Sequence, residues 1–168
     1  MLDLKPIVYA VLKEYALPRD GTHGVAHWAR VLENGLRLAG ETKARIDVVQ
    51  LFAVFHDSRR INEAVDDGHG KRGAELVAGF RDKWFTISDP DFDLLYEACA
   101  RHTDGDTEGD VTVRTCWDAD RLDLGRVGIH PKRLCTEAAE RPEIFNWADG
   151  RARLQVVPEI VRTDWAIP

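Results

Sequence analysis

The sequence predicts an all-α protein. Apolar residues recur at helical spacing in most segments, and strand-like alternation is sustained nowhere. The chain has 168 residues, of which 44% are hydrophobic and 31% charged. This length and composition are typical of one globular domain. We therefore expect a single helical domain over residues 1–168.

Local signals place most helix ends. Pro6 suits the first turn of the first helix, where its missing N–H costs nothing, and Pro18 stops that helix. Thr22 is placed to cap the second helix, Gly40 to end it, and Thr42 to cap the third. The third is the most hydrophobic run of the chain, although its β-branched residues leave a strand possible. The predicted helices span 6–16, 23–39, 46–55, 69–80, 91–101, 111–124, 130–140 and about 151–162.

Charge and cysteine content exclude several classes of protein. The net charge of −6 argues against non-specific nucleic-acid binding. The cysteines form no C-x-x-C pair, which fits a reducing compartment and argues against a Cys-rich zinc site. Residues 1–20 lack a signal-peptide pattern, and no apolar stretch approaches the roughly 20 residues that span a bilayer. We expect a cytoplasmic protein with no membrane or nucleic-acid partner, and the oligomeric state stays open.

A His-Asp pair closes the most hydrophobic helix. His56 and Asp57 would cost several kcal/mol in desolvation at the end of a buried helix unless something compensates them. A divalent cation is one such compensator, because imidazole and carboxylate are good ligands for Zn, Fe, Mn or Ni. The alternative is a hydrogen-bonded core His beside a helix-capping Asp.

Two other segments hold candidate ligands. His23 and His27 stand four residues apart and share a helical face, but the Glu base of the zincin metalloprotease motif is missing. In the predicted helix 111–124, Asp120 shares a face with Asp123, whereas Asp118 points about 200° away from it. We expect Asp120 to face inward. The alternative leaves Asp118 and Asp123 in solvent and pairs Asp120 with an Arg.

In this order the candidate residues resemble the HD-domain superfamily of metal-dependent phosphohydrolases. That family has a His on one helix, an adjacent His-Asp on a second and a distant Asp on a later one. The matching residues are His27 in H-W-A-R-V, His56-Asp57, and Asp120 in D-A-D-R-L-D. The family's first His stands three residues before an Arg-Val pair, which selects His27 over His23. The resemblance covers about residues 20–125 and leaves 126–168 as a C-terminal helical extension.

The resemblance implies a helical bundle with a metal site between its helices. The implied ligands are His27, His56, Asp57 and Asp120. Some relatives hold two ions with two further His, and His69 and His102 stand in the matching order. Their alternative roles are a loop His and a general acid, or a helix-end His. We expect one or two divalent ions per chain, with Zn, Mn, Fe, Ni, Co and Mg not distinguished, and with Asp57 bridging a pair.

The resemblance also implies hydrolysis of a phosphate ester, such as a nucleotide or another small phosphorylated metabolite, by a metal-activated water. The residues assigned to phosphate and substrate binding are Arg59, Arg60, Lys71, Arg72 and Asp123. Alternatively, the four cations only balance nearby acids. Arg60 also stands where several relatives have Glu or His. A di-iron HD-type oxygenase and a catalytically inactive metal-binding regulatory module remain alternatives.

Overall fold

The computed structural model describes residues 2–167, which fold into helices joined by loops. No β-strand forms within this range, so the predicted all-α class is confirmed. The helices are α1 (Lys5–Leu12), α2 (Val25–Thr42), α3 (Ile46–Phe55), α4 (His69–Phe80), α5 (Asp89–Arg101), α6 (Val111–Arg121), α7 (Glu137–Glu140), α8 (Pro142–Arg153) and α9 (Ile160–Thr163), with a 3₁₀ helix at Leu124–Val127.

Helix α3 forms the centre of the bundle. Its residues from Val48 to Phe55 are all buried, and it packs against α1, α2, α4, α5 and α6. Neighbours on all sides explain why the run is apolar without a polar face. Because His56 and Asp57 follow directly, the chain delivers both side chains to the middle of the protein.

Helix α4 approaches the end of α3 closely at Gly73. A Cβ added to Gly73 would lie 2.5 Å from the carbonyl oxygen of Phe55 and 3.1 Å from that of His56. Both neighbours are backbone atoms, which cannot move aside as a flexible side chain can. Gly79 lies on the same helix, and a Cβ there would meet nothing within 4 Å.

This contrast predicts opposite effects of one substitution on one helix. Gly73→Ala is expected to lower the free energy of unfolding by about 1–3 kcal/mol, because the added methyl group overpacks the junction of α3 and α4. Gly79→Ala is expected to raise it by up to about 1 kcal/mol, through the higher helix propensity of Ala. Urea titrations of the two variants measure both changes, and equal changes would contradict the packing described.

Several predicted helix ends differ from the structure. Helix α1 ends at Leu12 rather than at residue 16. Gly24, not Thr22, is the N-cap of α2, and the helix continues past Gly40 to Thr42. A hydrogen bond between the hydroxyl groups of Thr42 and Thr115, which are 2.9 Å apart, joins the C-terminal end of α2 to α6. Thr42 is therefore not the cap of α3. By contrast, α3 and α4 have the predicted bounds.

The C-terminal prediction was wrong in detail. Only the last four residues of the predicted helix 130–140 are helical, and the main helix of this region is α8, which begins at Pro142. Proline at this first position needs no N–H partner. Residues 154–159 are not helical, and Gln155 adopts a left-handed conformation with φ 50°. Trp165 is 1% exposed and joins the same hydrophobic core as α3.

Among residues 2–167, no helix combines the length and the hydropathy needed to cross a membrane.

Candidate metal centre

Five helix ends bring the candidate ligands to one place in the interior. All six side chains lie at, next to or within three residues of the end of a helix. They are His27 in the first turn of α2, His56 and Asp57 after α3, His69 at the start of α4, His102 after α5, and Asp120 near the end of α6. The four His are at most 5% exposed, and Asp120 has the most exposed side chain of the six, at 14%.

The first group of donor atoms joins α2, α3 and α6. The Nε2 atoms of His27 and His56 are 3.0 Å apart. Asp57 Oδ2 lies 3.4 Å from the first and 3.8 Å from the second. Asp120 Oδ1 lies 3.5 and 3.7 Å from the same two nitrogens.

The second group joins α4 and α5 to the same aspartate. The Nε2 atoms of His69 and His102 are 3.0 Å apart. Asp57 Oδ1 lies 3.1 Å from the former and 3.5 Å from the latter. This oxygen is fully buried and has no hydrogen-bond partner in residues 2–167. Asp57 therefore offers one oxygen to each group.

The other ring nitrogen of each His is held by an acceptor. The four Nδ1 contacts are His27 with Asp123 Oδ2 at 2.7 Å, His56 with the Phe52 carbonyl at 3.1 Å, His69 with the Asp66 carbonyl at 2.6 Å, and His102 with the Cys99 carbonyl at 2.8 Å. An acceptor at Nδ1 favours the tautomer with the ring proton on that atom, which leaves Nε2 of each ring facing its group.

The donor set fits a divalent cation in each group. Four ring nitrogens and three carboxylate oxygens face one another at 3.0–3.8 Å, and a positive charge among them would stabilise this arrangement. Ligand atoms about 2.1 Å from an ion lie about 3.0–3.4 Å apart at bond angles of 90–109°. Four of the eight observed separations fall in this range, and the other four, at 3.5–3.8 Å, exceed it by at most 0.4 Å. Imidazole and carboxylate ligands suit Zn, Fe, Mn or Ni and do not select among them.

Burial and mutual contact set the protonation of the first group. Burial lowers the pKa of His56 to about 3. Burial alone would raise the pKa values of Asp57 and Asp120, but interaction with the neighbouring His side chains, His56 first among them, holds both pKa values below the usual range. At neutral pH His56 is therefore neutral and both carboxyl groups are charged, which are the forms that bind a metal ion.

Asp123 supports the first group from behind. Its Oδ2 accepts hydrogen bonds from His27 Nδ1 and from Arg30 Nη2, and its Oδ1 accepts one from Arg30 Nε at 2.7 Å. The side chain has no exposed surface. Asp123 is thus engaged by His27 and Arg30, and its predicted role in substrate binding stays a prediction. Its partner Arg30 was not predicted, although Arg30 stands three residues after His27 and shares its helical face.

Asp118 points away from Asp120, as the helical angle predicts, but it is not in solvent. It is fully buried, and its oxygens accept hydrogen bonds from the backbone N–H groups of Cys135 and Thr136 and from the Thr136 hydroxyl. The alternative with Asp118 and Asp123 exposed is therefore excluded. Asp118 instead holds the segment that leads into α7.

Among the predicted phosphate-binding cations, Arg60 contacts the donor groups. Its Nη1 lies 3.7 Å from Asp57 Oδ1 and 3.2 Å from His69 Nε2. Each of the other two arginines pairs with an acid, as in the alternative in which the cations balance nearby acids, and their assignment to phosphate binding stays a prediction. Arg59 pairs with Glu14 at 3.0 Å, and Arg72 pairs with Asp66 at 2.6 Å. Lys71 is exposed on α4, and its assignment stays a prediction.

A further His, His23, lies beside the first group. His23, set aside as a ligand, has its ring edge-on to that of His27, with ring centroids 6.2 Å apart. Its Nδ1 is 2.5 Å from Glu63 Oε2, and its carbonyl accepts a hydrogen bond from Tyr15 Oη. No local pattern predicted the contact with Glu63, which lies 40 residues away in a charged loop.

Comparison with known proteins agrees with this geometry. No model of a known protein family matches the sequence, and no curated protein matches it. The chain is similar to a solved structure described as a predicted HD superfamily hydrolase from an uncultured Thermotogales bacterium. The two share 25% sequence identity over 90% of this chain and 88% of that chain, with a TM-score of 0.65. The resemblance to the HD-domain superfamily is thereby confirmed in the helical fold, and the His/Asp cluster fits an HD metal site.

Proposed function

We propose that this protein is a metal-dependent phosphohydrolase that cleaves a phosphate ester of a nucleotide or another small phosphorylated metabolite. One observation carries the proposal: five buried donor side chains form two adjoining groups that share Asp57, and the part-exposed Asp120 lies against the first group. We assign His27, His56, Asp57 and Asp120 to one ion, and Asp57, His69 and His102 to a second. The resemblance of the fold to a predicted HD superfamily hydrolase supports hydrolysis as the type of reaction.

Each part of the site contributes a separate task. A bound divalent ion supplies a Lewis acid and lowers the pKa of its water toward about 7. Asp123 fixes the orientation of the His27 ring, and Asp57 ties the two groups together. The part-exposed Asp120 marks the side from which a substrate reaches the site. Arg60 brings a fixed positive charge next to Asp57, which suits a phosphate group.

We further propose that residues 1–168 act as one HD-like domain in the cytoplasm without a nucleic-acid partner. The net charge of −6 and the absence of a C-x-x-C pair support this setting. The C-terminal helices support the single domain, since Ile144, Ala148 and Trp165 belong to the same hydrophobic core as α3.

Release of inorganic phosphate tests the proposed reaction. The protein reconstituted with Mn²⁺, Zn²⁺ or Fe²⁺ is assayed on a panel of nucleotides, sugar phosphates and p-nitrophenyl phosphate. We expect release from at least one substrate, and a loss of at least about 100-fold in Asp120→Ala, which lacks one ligand. The exposed Asp67→Ala is the matched control and should keep full activity. Equal release by Asp120→Ala would contradict the proposal.

A di-iron oxygenase is the second candidate. The observation that favours it is the ligand set of four His and two Asp with a shared carboxylate, since the resemblance implies such six-ligand sites for oxidative HD relatives. Oxygen uptake by the protein loaded with two irons, without phosphate release from any member of the panel, would select this reaction over hydrolysis.

A further inference from the structure

A cavity of about 440 Å³ lies beside the first donor group. The start of α2, the 3₁₀ helix and the C-terminal segment form its walls, and none of the six candidate ligands lines it. Cavities that bind small molecules in proteins measure about 300–1,000 Å³. The cavity therefore has room for a small ligand that does not touch the metal ligands.

Three arginines line this cavity, opposed by the single acid Asp20. Arg30 is already engaged with Asp123 and with the Val156 carbonyl. Arg126 also lies near Asp123, with Nη1 3.7 Å from Oδ2, but its side chain is only 5% exposed and not all of its donors are used. Its Nε donates to the Thr22 carbonyl and its Nη1 to the Asp123 carbonyl, whereas Nη2 has no protein partner in residues 2–167.

The third arginine stands on α9. Arg162 is exposed and has no ion-pair partner in the part of the chain that the structure describes. With Arg126 it gives the cavity two guanidinium groups with donors to spare. A guanidinium group binds carboxylate, sulfonate and phosphate oxygens through paired, charge-assisted hydrogen bonds.

The rest of the wall is apolar. Val25, Val157, Val161 and Ile167 line it, so a ligand that fills the cavity has an aliphatic part beside its charged group. The C-terminal wall is held in place before any ligand binds. Gln155 lies in the cavity wall in a left-handed conformation that costs a residue other than glycine about 1 kcal/mol or more, and the adjacent Val156 carbonyl is bound by Arg30 at 2.9 Å.

We propose that this cavity is a binding site for a small organic anion, whose charged group is held by Arg126 and Arg162 and whose aliphatic part packs on the valines of α2 and the C-terminal segment. The site adjoins the metal centre but is distinct from it. Arg30 and Arg126 both contact Asp123, which in turn orients His27.

Binding of 1-pentanesulfonate tests the site, because a sulfonate is a weak metal ligand and carries no ester bond to hydrolyse. Isothermal titration calorimetry on the metal-loaded protein should show saturable binding of 1-pentanesulfonate that is tighter than that of inorganic sulfate, which lacks the aliphatic part. Arg162→Ala should weaken it about tenfold, the effect of losing one charged hydrogen bond. Val157→Asp, which adds an anion to a half-exposed part of the wall, should abolish it.

Two further variants locate the bound anion. Arg133→Ala removes an exposed cation outside the cavity and should leave the affinity unchanged. Asp120→Ala removes a candidate metal ligand and should leave it unchanged as well. Loss of binding in Asp120→Ala with retention in Arg162→Ala would place the anion on the metal and overturn the proposal, as would no binding to the unmodified protein. These results do not depend on phosphate release, so the site and the proposed reaction fail separately.

Discussion

Asp57→Ala is expected to remove both ions from the protein. Its Oδ2 faces the group of His27 and His56, and its Oδ1 faces the group of His69 and His102, so within residues 2–167 Asp57 is the side chain shared by the two groups. Elemental analysis after reconstitution and gel filtration should give two ions per chain for the unmodified protein and none for Asp57→Ala.

Three control variants sharpen this test. Asp120→Ala should release the ion of the first group, and His102→Ala that of the second, so each should keep one ion. Asp67→Ala removes an exposed acid from the same loop and should keep both. An Asp57→Ala protein that still holds one ion per chain would show that the two groups do not depend on a shared carboxylate.

Asp123→Ala is expected to lower both stability and metal affinity. Its loss leaves the buried Arg30 guanidinium without its charge partner, which costs about 3–5 kcal/mol in the free energy of unfolding. It also frees the His27 ring to rotate, and the loss of such a supporting acid weakens metal binding by about 10–100-fold. Urea titration measures the first effect, and competition with a chromogenic chelator measures the second.

Asp118→Ala is the matched control for this variant. Asp118 lies on the same stretch of chain and is equally buried, but its partners are Cys135 and Thr136 and none is a candidate ligand. It should lose stability while keeping its metal affinity. Unchanged metal affinity in Asp123→Ala would contradict the assigned link between Asp123 and His27.

The sequence predicted the centre of the fold better than its C-terminal end. The bounds of α3 and α4 follow from local signals, namely a long apolar run and a periodic segment after a charged loop. The C-terminal end of α2 is held by a contact with Thr115, and the C-terminal segment depends on its packing against the core. Contacts between segments far apart in the chain leave no local signal.

In the candidate site, too, features that follow from local sequence were predicted, and contacts between distant segments were not. The desolvation cost of His56 and Asp57 could be predicted from the sequence, because their burial follows from the apolar helix before them. Helical spacing showed that Asp120 and Asp123 share a face, but not that Arg30 holds one of them away from solvent. Charges in a loop were the least predictable, since Arg59 pairs with an acid 45 residues away.

Anomalous scattering from crystals grown with the bound metal tests the central claim most directly. The account predicts two peaks in each chain. One should lie among the Nε2 atoms of His27 and His56 and the Asp120 carboxylate, the other between His69 and His102, and both should contact Asp57. Peaks at other positions, or no peak in crystals of protein that carries the metal in solution, would contradict it.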